Sequence, residues 1–241
     1  MTEIAFQLYS LHGIEDPLPV VLDRVGRTGF DGVEFAGLGG TEPAAVAAAL
    51  DEHGLAAAGA HVGLETLEST DAVARTYRNL GCRQLTVPWL PPEVFDSRSA
   101  VAAAADRLDS IARSVGAHGC QLNYHNHDHE FRTLGDGSAL DALLALTEVG
   151  FQLDLGWAGV AGYDPLALLD RYGDRIDLVH LKDYDAAAAA PAPVGAGDLD
   201  LGATVAAVRD HDVDWLIYEA EHAPDSYATL DRAAAFVEEY W

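Results

Sequence analysis

Lysine is almost missing from this chain: of 241 residues one is Lys, Lys182, beside thirteen Arg. Against those fourteen cations stand 25 Asp and 14 Glu, a formal net charge of −25. So large an excess is tolerated where salt screens self-repulsion, the Debye length falling to about 3 Å at 1 M. The composition is that of a protein adapted to concentrated salt. The acids are scattered over every expected helix rather than gathered into a tail, and they would repel a phosphate backbone, which argues against a nucleic-acid partner. Stability is expected to be greatest above about 1 M salt. Thermal unfolding at about 0.1 M and about 2 M KCl checks this, and an equal or higher midpoint at the lower salt would contradict it.

Cysteine is nearly as scarce. Cys82 and Cys120 lie in apolar stretches and fit reduced, buried thiols better than a disulfide or a zinc knuckle. There is no apolar run of about 18 residues, the length a membrane helix needs, and Met1-Thr2-Glu3-Ile4 lacks the basic start of a signal peptide. A cytoplasmic protein with no membrane partner is expected. No linker divides the chain either. Ala186 to Ala190 followed by Pro191-Ala192-Pro193 reads as a surface loop with a stiffened exit.

What the sequence does contain is a regular alternation of short apolar runs and longer helical patterns. The expected strands are Ile4 to Leu8, Gly32 to Phe35, Ala57 to Val62, Gln84 to Val87, Cys120 to Tyr124, Gln152 to Leu155, Leu178 to Leu181 and Trp215 to Glu219. Helices are expected over Leu18 to Thr28, Pro43 to His53, Leu67 to Leu80, Arg98 to Ala117, Ala139 to Glu148, Pro165 to Tyr172, Leu201 to Asp210 and Tyr227 to Tyr240. Eight such repeats with parallel crossovers predict a single-domain α/β chain, a closed (β/α)8 TIM barrel spanning residues 1–241. The alternative is a doubly wound open sheet. It would place a glycine-rich nucleotide turn after the first strand, where the sequence has Gln7-Leu8-Tyr9-Ser10-Leu11-His12-Gly13.

Several of these runs end on metal-binding residue types. Cys120-Gln121-Leu122 leads into Asn123-Tyr124-His125-Asn126-His127-Asp128-His129-Glu130, and because side chains alternate along a strand, His125 and His127 face the same way. Phe151-Gln152-Leu153 closes on Asp154, Leu178-Val179 on His180, and Trp215-Leu216-Ile217-Tyr218 on Glu219, with Glu221 as a competitor on the same face. Imidazole and carboxylate are ligands for divalent cations. Active sites of barrels lie at the C-terminal ends of the strands, where Glu34, His61 and Trp89 also fall. Lys182, two residues beyond His180, shares its face and suits a task that needs a compact positive charge, such as holding a substrate oxygen. A salt bridge to Asp183 or Glu221 is the plainer reading of it.

These segments, with Gly29-Phe30-Asp31-Gly32-Val33-Glu34, Ala60-His61-Val62, Leu153-Asp154-Leu155-Gly156-Trp157, Val179-His180-Leu181-Lys182-Asp183 and Val194-Gly195-Ala196-Gly197-Asp198, resemble the xylose isomerase-like barrel superfamily, the sugar phosphate isomerase/epimerase family. The resemblance implies one divalent cation held at the ends of strands five to eight in the order Glu, Asp, His, Glu. Asp154, His180 and Glu219 match, while His125 stands where many relatives carry Glu. It also implies a metal-dependent isomerase or epimerase that acts on a keto-sugar or related polyol through a metal-stabilised enediolate. In that reading Glu219, His125 and Lys182 are catalytic, and Glu34, His61, Trp89, His127 and Trp157 contact substrate, with Glu34 and His61 equally open to a place behind the metal ligands. The Tyr-His-Asn-His fifth strand resembles a branch that includes dehydratases of keto-inositols and lyases of keto-sugars, so a lyase is the alternative, with Glu130 a further carboxylate in the following loop. A metal-dependent phosphodiesterase of the same fold and a non-catalytic sugar-binding barrel are the remaining rivals. The metal is one of Mn, Mg, Co or Zn. The expected partner is a small-molecule sugar, and nothing in the sequence bars a homo-oligomer.

Overall fold

The computed structural model describes residues 1–69, 71–221 and 225–241. Eight parallel strands close into a barrel: β1 (Glu3–Gln7), β2 (Gly32–Phe35), β3 (Ala56–His61), β4 (Gln84–Val87), β5 (Gln121–His125), β6 (Gly150–Asp154), β7 (Leu178–Leu181) and β8 (Trp215–Tyr218), with β8 pairing back onto β1. Around it lie α1 (Leu18–Val25), α2 (Pro43–His53), α3 (Leu64–Ser69), α4 (Asp71–Asn79), α5 (Arg98–Gly116), α6 (Ala139–Leu146), α7 (Leu155–Val160), α8 (Pro165–Tyr172), α9 (Leu201–Asp210) and α10 (Ala228–Tyr240). This is the expected (β/α)8 barrel. The main apolar core lies between strands and helices, where residues such as Phe35, Leu85, Leu108 and Phe151 are fully buried. Inside the barrel the floor is a small apolar layer of Ala5, Ala58, Leu178 and Ile217, and buried polar residues, Gln7, Glu34, Gln152, Asp154 and His180, also point into the barrel.

Over the expected helix Leu67 to Leu80 the described residues are helical in α3, which starts at Leu64, and α4, and residue 70 lies outside the described residues. Two expectations change. The stretch expected as a plain loop after β7 contains a hairpin, Asp183–Asp185 against Ala190–Ala192. Its base is pinned by the buried Asp183 carboxylate, which accepts from the backbone N–H groups of Tyr184, Gly195, Gly197 and Leu199. The second change is α7, a short helix directly after β6. Its N-cap is Asp154, whose Oδ1 accepts from Trp157 N at 2.8 Å, the geometry that favours Asp at this position.

α7 lies close against the segment just after β7 that carries Lys182. A Cβ on Gly156 would come within 2.8 Å of Lys182 Cβ, and one on Gly159 within 2.3 Å of the Tyr184 ring. Gly156→Ala is therefore expected to cost about 1–3 kcal/mol, as overpacking typically does, and to displace Lys182. Urea unfolding checks it, and an unchanged midpoint would contradict it. Both cysteines are free and buried. Lys182, 1% exposed, is the sole lysine, so the surface carries none. Among the described residues no helix is long and apolar enough to cross a membrane.

Candidate metal centre and substrate cavity

The strand register brings the four expected ligands together. Asp154 at the end of β6 lies beside His180 on β7, His180 lies beside Ile217 on β8, and Glu219 extends β8 by one residue, its N–H donating to Leu181 O at 3.1 Å. His125 ends β5. All four are buried, and one donor atom from each lies within 4.8 Å of the others.

Hydrogen bonding decides which atoms face inward. Pro88 O can only accept, so the 3.2 Å contact with His125 Nδ1 fixes the proton on that nitrogen and leaves the Nε2 lone pair turned toward Asp154 Oδ2 at 3.3 Å. Burial, with His180 and His61 nearby, pushes the His125 pKa well down and keeps the ring neutral. A lone pair facing a carboxylate oxygen is unfavourable unless a cation lies between them, so this donor set fits a divalent ion. On His180, Nε2 donates to Glu34 Oε2 at 2.6 Å while Nδ1 faces Glu219 Oε2 at 2.8 Å and Asp154 Oδ2 at 3.9 Å. That carboxylate–imidazole pairing is the arrangement that orients metal-binding histidines. Burial works against the charged ring, but Glu34 and Glu219 outweigh it and lift the His180 pKa to about 10. Metal binding would release that proton.

Beneath the set lies a network the sequence reading missed. Glu34 accepts from Gln7 Nε2 at 2.6 Å and Gln152 Nε2 at 2.7 Å, as well as from His180. With its amide nitrogen given to Glu34, Gln152 turns Oε1 to His61 Nε2 at 2.8 Å, which fixes that tautomer. Burial would raise the Glu34 carboxyl, yet the nearby His61 and His180, with hydrogen bonds from His180 and Gln152, hold it at about 2. Gly59 makes the room, since a Cβ there would sit 2.7 Å from Glu34 Oε1. Gln7 and Gln152 could have been found from alternation, because each shares a strand face with the polar residues around the site.

Of the two places open to Glu34, against substrate or behind the metal ligands, its surroundings fit the second. It is fully buried, outside the cavity wall, and orients His180. Glu34→Gln is expected to weaken metal binding by about 10- to 100-fold, the usual effect of losing such a partner; competition against a chelating dye measures this, and an unchanged affinity would remove Glu34 from the role. Glu130 also stands apart. It accepts from Tyr124 OH at 2.5 Å and His127 N at 2.9 Å, on the side of β5 opposite His125, and so supplies no carboxylate to the cavity.

Above the ligands opens a cavity of about 630 Å³ whose wall includes His61, His125, His127, Trp157, Lys182 and Glu219. Lys182 Nζ lies 3.2 Å from Asp154 Oδ2, 3.0 Å from Glu219 Oε2 and 2.7 Å from Glu221 Oε1, with Trp157 5.2 Å away. Burial opposes its charge, but these three carboxylates prevail and raise its pKa. Glu219 is likewise disfavoured by burial, and Lys182 and His180 hold its carboxyl well below the usual range. Glu221, the register competitor, sits nearer the mouth and binds Lys182. Among the described residues, His127 Nδ1 and Trp157 Nε1 are buried without a protein partner. Burial, then His125 and Lys182, pushes His127 down to about 2. Trp89, expected to contact substrate, stands at the mouth, 49% exposed.

Residues 22–240 match the family model described as xylose isomerase-like TIM barrel. The chain belongs to this family. Among curated relatives, the inosose dehydratase of Geobacillus kaustophilus is 27% identical over 187 residues, 68% of this chain and 61% of that protein. The chain therefore aligns with about three-fifths of that relative's length. The inosose dehydratase of Salmonella typhimurium is 24% identical over 92% of this chain and 87% of its own. Solved structures share the fold. A sugar phosphate isomerase/epimerase from Parabacteroides distasonis superposes with a TM-score of 0.83 at 20% identity, covering 99% of this chain and 97% of that one. The 3-keto-D-glucoside 4-epimerase of E. coli gives 0.75 at 20% identity, covering 99% of both chains. This is a family of enzymes that process small sugars with a divalent metal.

Proposed function

We propose that the chain is a metal-dependent carbon–oxygen lyase that removes the proton beside the carbonyl of a keto-inositol or keto-sugar and expels a β-hydroxyl. The observation that carries this reading is His125. Where an epimerase of this family would hold a second carboxylate opposite Glu219, the fifth strand presents a neutral imidazole committed to Pro88 O on one side and Asp154 on the other. Among the described residues Glu221 is the other carboxylate lining the cavity, but it lies on the same side as Glu219 and is tied to Lys182. One-sided proton transfer suits elimination better than inversion. The relatives named inosose dehydratase support the same choice, although the motifs alone favoured isomerisation or epimerisation.

A cation held by His125, Asp154, His180 and Glu219 would polarise the substrate carbonyl and acidify the adjacent C–H. The protein's own groups do the rest. Glu219, kept ionised by Lys182 and His180, takes the proton. Lys182 meets the negative charge that develops on the substrate oxygen, in a site screened from water by Trp157. His127 Nδ1 and Trp157 Nε1 offer their unpaired polar atoms to substrate hydroxyls. Adaptation to concentrated salt completes the proposal, supported by a surface without lysine.

A screen of keto-sugars, keto-inositols and 3-keto-glycosides in deuterated water with Mn or Co, followed by NMR, tests the reading. The expected result is an unsaturated ketone, with water released from a compound that has a free β-hydroxyl and the aglycone alcohol released from a 3-keto-glycoside. An isomer or epimer carrying deuterium would move the assignment to the isomerase class, and no exchange with any of them would contradict the reading.

A further inference from the structure

Asn126 lies between two residues that line the cavity, His125 and His127, yet it is fully buried and outside the cavity wall. Both ends of its amide go to a single residue. Oδ1 accepts from Asp154 N at 2.9 Å, and Nδ2 donates to Asp154 O at 3.3 Å, with His127 O 3.5 Å away. The two ends are not interchangeable. Asp154 N can only donate and the two carbonyls can only accept, so the amide oxygen must face the first and the amide nitrogen the others.

The strand register explains why Asp154 needs such a partner. On the β7 side it is still in the ladder, opposite His180. On the β5 side the last pair is His125 with Gln152, and His127 N, two residues further on, bonds to Glu130 Oε2 at 2.9 Å rather than to β6. The Asp154 peptide is therefore buried at the end of a ladder that has lost one edge, where an unpaired N–H or C=O is costly. The Asn126 side chain takes the place of the missing backbone. What it holds matters because Asp154 divides its carboxylate. Oδ1 accepts from Trp157 N at 2.8 Å and starts α7, which carries Trp157 into the cavity wall, while Oδ2 faces His125 Nε2 at 3.3 Å and Lys182 Nζ at 3.2 Å. An Asp side chain is short, with few rotatable bonds, so a shift of its peptide passes to Oδ2 almost undiminished.

Resting on the metal centre proposed above, we propose that Asn126 is a positioning residue for that centre: its amide fixes the Asp154 peptide so that Oδ1 stays on α7 and Oδ2 stays turned toward the cation. The test measures Co affinity by competition against a chelating dye, the visible absorption bands of the Co-loaded protein, and urea unfolding. Asn126→Ala is expected to raise the Kd for Co by about 10- to 100-fold, the usual effect of losing a group that orients a ligand, and to shift the bands. Thr147→Ala is the control. It removes a buried hydrogen bond to Asp109 just before β6, at the end of that strand remote from Asp154, and should lower the urea midpoint while leaving Kd and bands as in the wild type. If Asn126→Ala does not fold, the isosteric Asn126→Asp decides. It keeps an oxygen for Asp154 N but sets a second against Asp154 O, and its added charge alone would favour the cation, so a raised Kd there comes from lost position. A wild-type Kd with unmoved bands in Asn126→Ala, a Kd at or below wild type in Asn126→Asp, or an equal rise in Thr147→Ala would overturn the inference and leave the metal centre in place. Failure of the wild type itself to bind Co would overturn the centre and the inference with it.

Discussion

Glu219→Gln is expected to fold as the wild type does and to lose proton exchange beside the substrate carbonyl by at least about 10²- to 10⁴-fold, the usual contribution of a general base. Folding should survive because Lys182 keeps Asp154 and Glu221 as counter-charges and His180 keeps Glu34. The amide is nearly the same shape but cannot accept the proton, and it also withdraws a negative charge from the cation site, which adds to the loss. Exchange measured by NMR on variant protein with its metal content verified gives the result. A rate close to wild type would move the base to another cavity group, Glu221 first, since Glu130 is turned away toward Tyr124.

Asp154→Ala is expected to lose the metal. Its Oδ2 is shared between His125, His180 and Lys182, and removing a ligand should cost more than the about 10- to 100-fold that follows loss of an orienting partner. The same substitution removes the cap of α7, at a cost of about 1 kcal/mol, so a weakened fold could imitate metal loss. Asp154→Asn separates the two effects, because an amide oxygen can still cap Trp157 N while the charge is gone. His125→Glu should keep the ion, Glu being the residue many relatives carry at that position. Elemental analysis of all three variants is the measurement, and an unchanged metal content in Asp154→Ala would remove Asp154 from the centre.

Much of this was legible in the sequence because a barrel strand announces its end chemically. The bounds of β2, β4 and β7 coincide with their apolar runs, and Asp154, His180 and Glu219 each close such a run, so the alternation of faces was enough to bring them together. What stayed hidden depended on contacts between distant segments. α7 is six residues with two glycines, too short and too poor in helix formers to declare itself; the glycines are there because Lys182 and Tyr184 press against them. Glu34 looks like any carboxylate at a strand end, and only the arrival of Gln7, Gln152 and His180 from three other strands turns it into an orienting group beneath the cavity. Glu130 misled for the opposite reason. It lies near His125 in sequence, but it pairs with Tyr124, and the neighbouring residue on a strand faces the other way.

The central claim is that one cation at His125, Asp154, His180 and Glu219 drives removal of a proton beside a carbonyl. The most direct test follows deuterium incorporation into a keto-inositol or 3-keto-glycoside in deuterated water, first with Mn-loaded protein, then after chelation, then after Mn is restored. The account predicts exchange that disappears with the metal and returns with it. Exchange that continues at the same rate in the chelated, metal-free protein would contradict it.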